Sequence, residues 1–128
     1  MGNLFGNGLR FGRAGSVLVA GEGIETILSL RQIMPTIPMI AGLSAGHLSA
    51  LQITPSLRRL YIARDNDPAG QHAAVTLAER AIGAGIEPLM LTASLGDFND
   101  DLQQLGRDEM RAAVRVQLAP EDAEPFIG

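Results

Sequence analysis

Residues 57–85 read LRRLYIARDNDPAGQHAAVTLAERAIGAG. Leu57 to Ala63 is a short apolar-rich run that reads as a strand. A tight polar segment, Arg64-Asp65-Asn66-Asp67, follows it directly. Asp67 stands at a helix cap and Pro68 in the first turn, where its missing N–H costs nothing. Ala74, Leu77, Ala78, Ala81 and Ile82 then recur at helical spacing and predict one buried face, with Gly83 and Gly85 as the stop.

The same alternation extends outward. Val17-Leu18-Val19-Ala20 predicts a strand, Gly21 to Gly23 a turn, and Ile24, Ile27, Leu28 and Met34 a helical face that Pro35 ends. Ile37 to Ala41 reads as a second strand. Ser44 is placed to cap a short helix carrying Leu48 and Leu51, which stops before Pro55. Ile86 to Thr92 is a fourth strand, and Pro88, which cannot donate to a ladder, puts it at a sheet edge. A last helix is expected over Arg107 to Leu118 with Met110, Ala113, Val114 and Leu118 inward. Four strands alternating with helices predict an α/β fold, a Rossmann-like three-layer α/β/α arrangement with a mostly parallel four-stranded sheet. Around this domain, residues 16–118, lie a Gly-rich arm or linker over 1–15 and a loose acidic tail over 119–128.

Composition removes several function classes. The chain has 128 residues, enough for one core. It has no Cys, which excludes disulfides, thiolate nucleophiles and cysteine-held metals. All ten of its cations are Arg, so Schiff-base chemistry and a P-loop Lys are excluded as well. Aromatics are 4%, too few for a base-stacking platform, and a net charge of −4 gives no general attraction for nucleic acid. No apolar run reaches membrane-spanning length and no signal-peptide pattern opens the chain, so it reads as a soluble, cytoplasmic domain.

Ligands of parallel α/β sheets bind beyond the carboxyl ends of the strands. Gly21-Glu22-Gly23-Ile24-Glu25 follows the first strand, Arg64 to Gly70 the third, and Gly96-Asp97-Phe98-Asn99-Asp100-Asp101 the fourth. Seven of the fourteen acids fall in these three segments. Two carboxylates about 4 Å apart repel by on the order of 1–4 kcal/mol, a large share of a domain stability of about 5–15 kcal/mol. A divalent cation reverses that sign, and an oxygen-only donor set suits Mg²⁺ or Mn²⁺ better than Zn²⁺. Each piece alone has a plainer reading. Asp67 before Pro68 can be an N-cap, Glu22 can answer a helix dipole, and 97–101 can be a solvated helix start. Asp65 has no such structural role.

Strand–Glu-Gly, strand–Asp-x-Asp and a third acidic segment, in that order, resemble the Toprim domain shared by primases, topoisomerases, OLD-type nucleases and RecR-like repair proteins. The phrases GEGIET, LSAGHL, LYIARDNDPAG and GDFNDDL are similar to primases and primase–helicases of phages, plasmids and mobile elements, and the resemblance covers about residues 16–115. It implies a Toprim-like fold and a Mg²⁺-dependent nucleotidyl-transfer domain of a DNA primase that makes RNA primers. Such a domain is part of a larger protein and works with nucleotides, DNA and helicase or other replication domains. On that resemblance Glu22 is a metal ligand or general acid/base, Asp65 and Asp67 are metal ligands, and Asp97 is a further ligand. Glu22, Asp65 and Asp67 form the catalytic set. Asn99 stands where an acid is often found, and Arg64 and Asn99 are candidates for substrate contact. An OLD-type nuclease domain, or a metal-binding or interaction module inactive alone, is the alternative.

The remaining candidates have structural readings beside functional ones. Arg64 fits either a substrate phosphate or a salt bridge to Asp65 or Asp97. Arg107, Arg111 and Arg115 share one helix face that could meet a phosphate backbone or only solvent. His47 fits a structural hydrogen bond, and His72 lies on the polar side of its helix. Gly21-x-Gly23-x-x-Thr26 brushes a dinucleotide fingerprint, but Glu22 opposes a pyrophosphate and no acid follows the second strand. Tyr61, the one tyrosine, sits inside a strand and cannot attack DNA.

Overall fold

The computed structural model describes residues 9–11, 15–42, 57–64 and 68–128. Among these residues five strands form one sheet: β1 (Leu9–Phe11), β2 (Val17–Gly21), β3 (Met39–Ala41), β4 (Arg59–Ala63) and β5 (Glu87–Leu91). Their order is β1-β3-β2-β4-β5, with β1 antiparallel to β3 and the other four strands parallel. The expected α/β sheet of four parallel strands is therefore present. β5 is an edge strand, as Pro88 requires. Leu9–Phe11, read as part of a linker arm, instead extends the sheet as a fifth strand.

Five helices are described: α1 (Ile24–Arg31), α2 (Pro68–Gly83), α3 (Phe98–Leu105), α4 (Arg107–Arg115) and α5 (Pro120–Phe126). Alternation along the strands sorts the core into two layers. Val17, Val19, Met39, Tyr61, Ala63 and Leu91 pack with Ile27 and Leu30 of α1, Phe98 of α3, Met110 and Val114 of α4, and Ile127 beyond α5. Ala20, Ile40, Leu60 and Ile62 face the other way, onto Ala73, Ala74, Leu77 and Ala81 of α2. Helices on both faces are the reason the strands read as continuous apolar runs rather than as alternating ones.

Three expectations about the helices need correction. Ile82 is 65% exposed, and Ala73 takes its place in the α2 stripe. In α1, Ile24 and Leu28 are exposed, while Ile27, Leu30 and then Ile33 and Met34 are buried. An eight-residue helix lying against one sheet face buries a narrower stripe than its apolar content suggests. Residues 98–105, expected at most to begin a helix, form α3, and Gly106 at φ 88° turns the chain from α3 into α4. The short helix expected after Ser44, with His47 in it, lies outside the described residues.

The acidic tail is not loose. Pro120 starts α5, whose Asp122 is 4% exposed. The Tyr61 hydroxyl donates to Asp122 Oδ2 at 2.5 Å and accepts from the Ala119 N–H at 2.9 Å. Arg59 Nη1 donates to the same carboxylate oxygen at 2.7 Å, and Arg59 Nε to Glu87 Oε1 at 3.1 Å. A charged residue written as tail is buried because a cation and a hydroxyl on β4 await it.

Candidate functional site

Register places the carboxyl ends of the parallel strands in one row. Gly21 pairs across to Ala41 on one side and Ala63 on the other, and Ala63 to Leu91. The ladder runs slightly further: Gly42 N–H donates to Gly21 O at 2.7 Å and Arg64 N–H to Leu91 O at 3.4 Å. Glu22 and Arg64 are thus the first residues past two adjacent central strands, whose backbones lie about 4.8 Å apart.

Gly21 sets how Glu22 leaves the sheet. A Cβ there would stand 2.8 Å from Ile27 Cδ1 and 3.2 Å from Ile27 Cγ1, so any larger residue would push on the Ile27 side chain where α1 closes over the strand end. Gly23 has nothing within 4 Å of such an atom. Glu22 is half-buried between them, immediately before the N-terminus of α1, where a negative charge is favoured.

Asp97 caps α3: its Oδ1 accepts from the Asp100 N–H at 2.8 Å. The cap leaves it half-buried, with its second oxygen not spent on that bond. Asp101, counted at the sequence level among the acids of the ligand edge, is spoken for. It is 1% exposed, and its two oxygens accept the N–H groups of Leu95 and Ser94 at 2.8 and 2.7 Å. Asn99 turns toward α1, its Oδ1 3.5 Å from Ser29 Oγ, in a groove lined also by Glu25, Leu28, Gln32 and Leu102. Arg64 is half-buried, and among the described residues it forms no ion pair with Asp97.

Asp65 and Asp67 lie outside the described residues, between Arg64, which follows β4, and Pro68, which opens α2. Among the described residues no three potential ligands cluster, so Glu22 and Asp97 alone represent the predicted set there. Both offer carboxylate oxygen, the donor type of a Mg²⁺ or Mn²⁺ site. His72 is exposed on α2 and takes no part.

The arginine face of α4 has structural partners. Arg111 Nε donates to Ile127 O at 2.8 Å, Arg115 Nη1 to Gly128 O at 2.5 Å, and Arg107 Nη2 reaches Gln32 Oε1 at 3.5 Å. Sequence reasoning missed Asp101 as a loop anchor and Gln117 altogether. The spacing Asp97-x-x-Asp100 at a helix start was a readable capping signal. For Gln117 no local signal existed, since its partner is 25 residues away at Thr92.

Comparison with known proteins follows the same lines. A family model described as a Toprim domain matches residues 17–108. No curated protein matches the sequence at a significant level. Among solved structures, a chain of the bacteriophage T7 complex of lagging-strand DNA polymerase with the primase domains of two gp4 subunits is similar at TM-score 0.61 and 17% identity over 78% of this chain. The Aquifex aeolicus primase, comprising zinc-binding and RNA polymerase domains, gives 0.58 at 16% identity over 80%, and a Pseudomonas aeruginosa DNA primase domain 0.57 at 22% over 80%. The present chain spans 54%, 26% and 33% of the lengths of those three.

Proposed function

The chain belongs to the Toprim domain family, and from that premise we propose that it is a Mg²⁺-dependent, primase-type Toprim domain, the nucleotidyl-transfer part of a DNA primase that works within a larger protein. One observation carries the reading. The level strand ends bring Glu22, just past β2, beside Arg64, just past β4, and in the sequence Arg64 leads directly into Asp65-x-Asp67. The fold likeness to three structures described as containing primase domains supports choosing primase among Toprim activities.

Glu22, Asp65, Asp67 and Asp97 would hold the metal, each through carboxylate oxygen. When bound, Mg²⁺ supplies charge neutralisation on a nucleoside triphosphate and orientation of the attacking oxygen. The protein's own part is positioning and electrostatics. Glu22 is the group to take or give a proton at the reacting 3′-hydroxyl. Arg64, one residue past β4, offers its guanidinium to a phosphate oxygen. Template grip, with a net charge of −4 here, falls to other domains of the parent protein. Those partners are DNA, nucleotides and a helicase or other replication module, in the setting of a phage, plasmid or mobile element.

The test is a titration of Mn²⁺ and Mg²⁺ followed by melting temperature, with Asp65→Asn/Asp67→Asn as the comparison. Metal at about 100 times its dissociation constant should stabilise the wild type by about 2.7 kcal/mol, a shift of several degrees. The double variant should lose that shift while being at least as stable as wild type without metal, because a repulsive pair has been neutralised. Primer synthesis on single-stranded template with ribonucleotides then checks the activity. Nicking of DNA without synthesis would instead mark a nuclease. A double variant that is less stable without metal would assign the two aspartates to architecture.

A further inference from the structure

The segment between β5 and α3 carries Asp97, and it is held at three successive points by side chains. Gln117 pairs with Thr92 as a neighbouring strand would: its Oε1 accepts the Thr92 N–H at 2.8 Å and its Nε2 donates to Thr92 O at 3.0 Å. The same Nε2 reaches Ala113 O at 3.2 Å, which ties the amide to the end of α4. Asp101 then binds the N–H groups of Ser94 and Leu95, and Asp97 itself binds that of Asp100. Every residue from 92 to 97 is therefore within one position of a side-chain clamp. Among the described residues β5 is an edge strand and Thr92 follows its end, and there the Gln117 amide supplies these bonds.

We propose that Gln117 and Asp101 are positioning residues that hold Asp97 at the carboxyl edge of the sheet. The proposal rests on the metal-site reading above. Gln117, between α4 and α5, lies beyond the residues matched by the family model, 17–108, whereas Asp101 lies within them, so only the Gln117 half of the clamp comes from outside the matched region. Its logic is that of groups that orient a ligand without touching the metal: a carboxylate on a loosened loop must be ordered when the metal binds. Asp101 is buried for the same purpose, its charge compensated by two backbone N–H groups rather than by a cation.

Gln117→Ala and Asp101→Asn test this in the full chain, with Val116→Ser, at an 82% exposed neighbouring position, as control. Two readouts are needed: amide hydrogen exchange without metal, and Mn²⁺ affinity by electron paramagnetic resonance. Gln117→Ala should speed exchange at Thr92, Ser94, Leu95 and Asp100 while β2 and β4 stay protected. It should weaken Mn²⁺ binding by about tenfold, the effect typical of a lost orienting partner. Unchanged Mn²⁺ affinity in Gln117→Ala, with exchange at those amides accelerated, overturns the proposal. So does unchanged exchange there. Wild-type protein that binds no Mn²⁺ overturns the metal-site reading and the proposal with it, whatever the exchange shows. If Asp101→Asn loses protection throughout the sheet, its role is global folding, and Gln117→Ala alone decides.

Discussion

The buried carboxylates Asp101 and Asp122 and the edge carboxylates Glu22 and Asp97 differ in burial within one small domain. Asp122 is 4% exposed and shares one oxygen between Arg59 and Tyr61, and Asp101 is 1% exposed on two backbone N–H groups. Both are satisfied by the protein itself, so their charge holds architecture: one docks α5 onto the sheet and the other shapes the loop after β5. Glu22 and Asp97 stay half-buried at the strand ends, where a ligand could still reach them. The difference teaches that acidic content alone does not mark a site. What marks it is carboxylate that stays partly open to solvent at the strand ends, where ligands of parallel sheets bind.

The strongest way to break this comparison is Asp122→Ala. It removes the shared acceptor of Tyr61 and Arg59 and leaves a hydroxyl and a largely buried guanidinium without it, in a side chain only 15% exposed. Losing one partner of a buried ion pair costs about 3–5 kcal/mol. Urea denaturation should show a loss near the lower figure, because Glu87 still holds Arg59. A loss below about 1 kcal/mol would mean that α5 is held by the apolar contacts of Ile127 and Phe126 alone.

Much of this was legible along the chain and some was not, for identifiable reasons. The parallel strands could be read because each is covered on both faces and so is continuously apolar. The edge position of β5 could be read from Pro88, and the extent of α2 from Pro68 and Gly83. Leu9–Phe11 could not be read as a strand: three residues among glycines carry no periodicity, and their pairing to Met39–Ala41 is a long-range event. Asp97 and Asp101 could not be told apart by composition. They are separated by one helical turn, which sends Asp101 back against the loop and leaves Asp97 at the cap. Asp122 was hidden because its partners, Arg59 and Tyr61, lie some sixty positions earlier.

The edge side of the comparison is sharpened by two glycines that look equivalent in sequence. Gly21→Ala places a methyl group 2.8 Å from Ile27 Cδ1, in a side chain with no exposure, whereas Gly23→Ala meets open space. Overpacking of this kind costs about 1–3 kcal/mol, and the milder end is expected because the contact is a terminal methyl. Loss of helix-cap glycine at 23 should cost only a few tenths of a kcal/mol. Thermal melts of the two variants should separate them clearly. Equal melting temperatures would mean that α1 does not need its close approach to β2, and that Glu22 is positioned by something other than Gly21.

The subtlest test reads the buried network by pH. Burial first, and donation to Asp122 second, raise the Tyr61 pKa above its ordinary value of 10. The folded protein therefore keeps the phenol protonated at pH values where an unfolded chain has begun to release the proton. Below about pH 10 both states hold it and its contribution is intact; above that the unfolded state gains stability with each proton lost, by about 1.4 kcal/mol per pH unit until the folded form titrates too. The chain has one Tyr, no Cys and no Lys, so between about pH 9 and 11.5 no other side chain titrates. Stability measured in urea at pH 9, 10 and 11 should fall along that slope, and the tyrosinate absorbance of the native protein should stay flat until it unfolds. Tyr61→Phe should be less stable at pH 8, by about 1 kcal/mol for the lost hydrogen bonds, yet show no alkaline slope. The alkaline limb therefore reads the Asp122 network through the one tyrosine of the chain. A wild type as stable at pH 11 as at pH 9 would place the phenol in contact with solvent and remove Asp122 from the set of carboxylates that hold the fold.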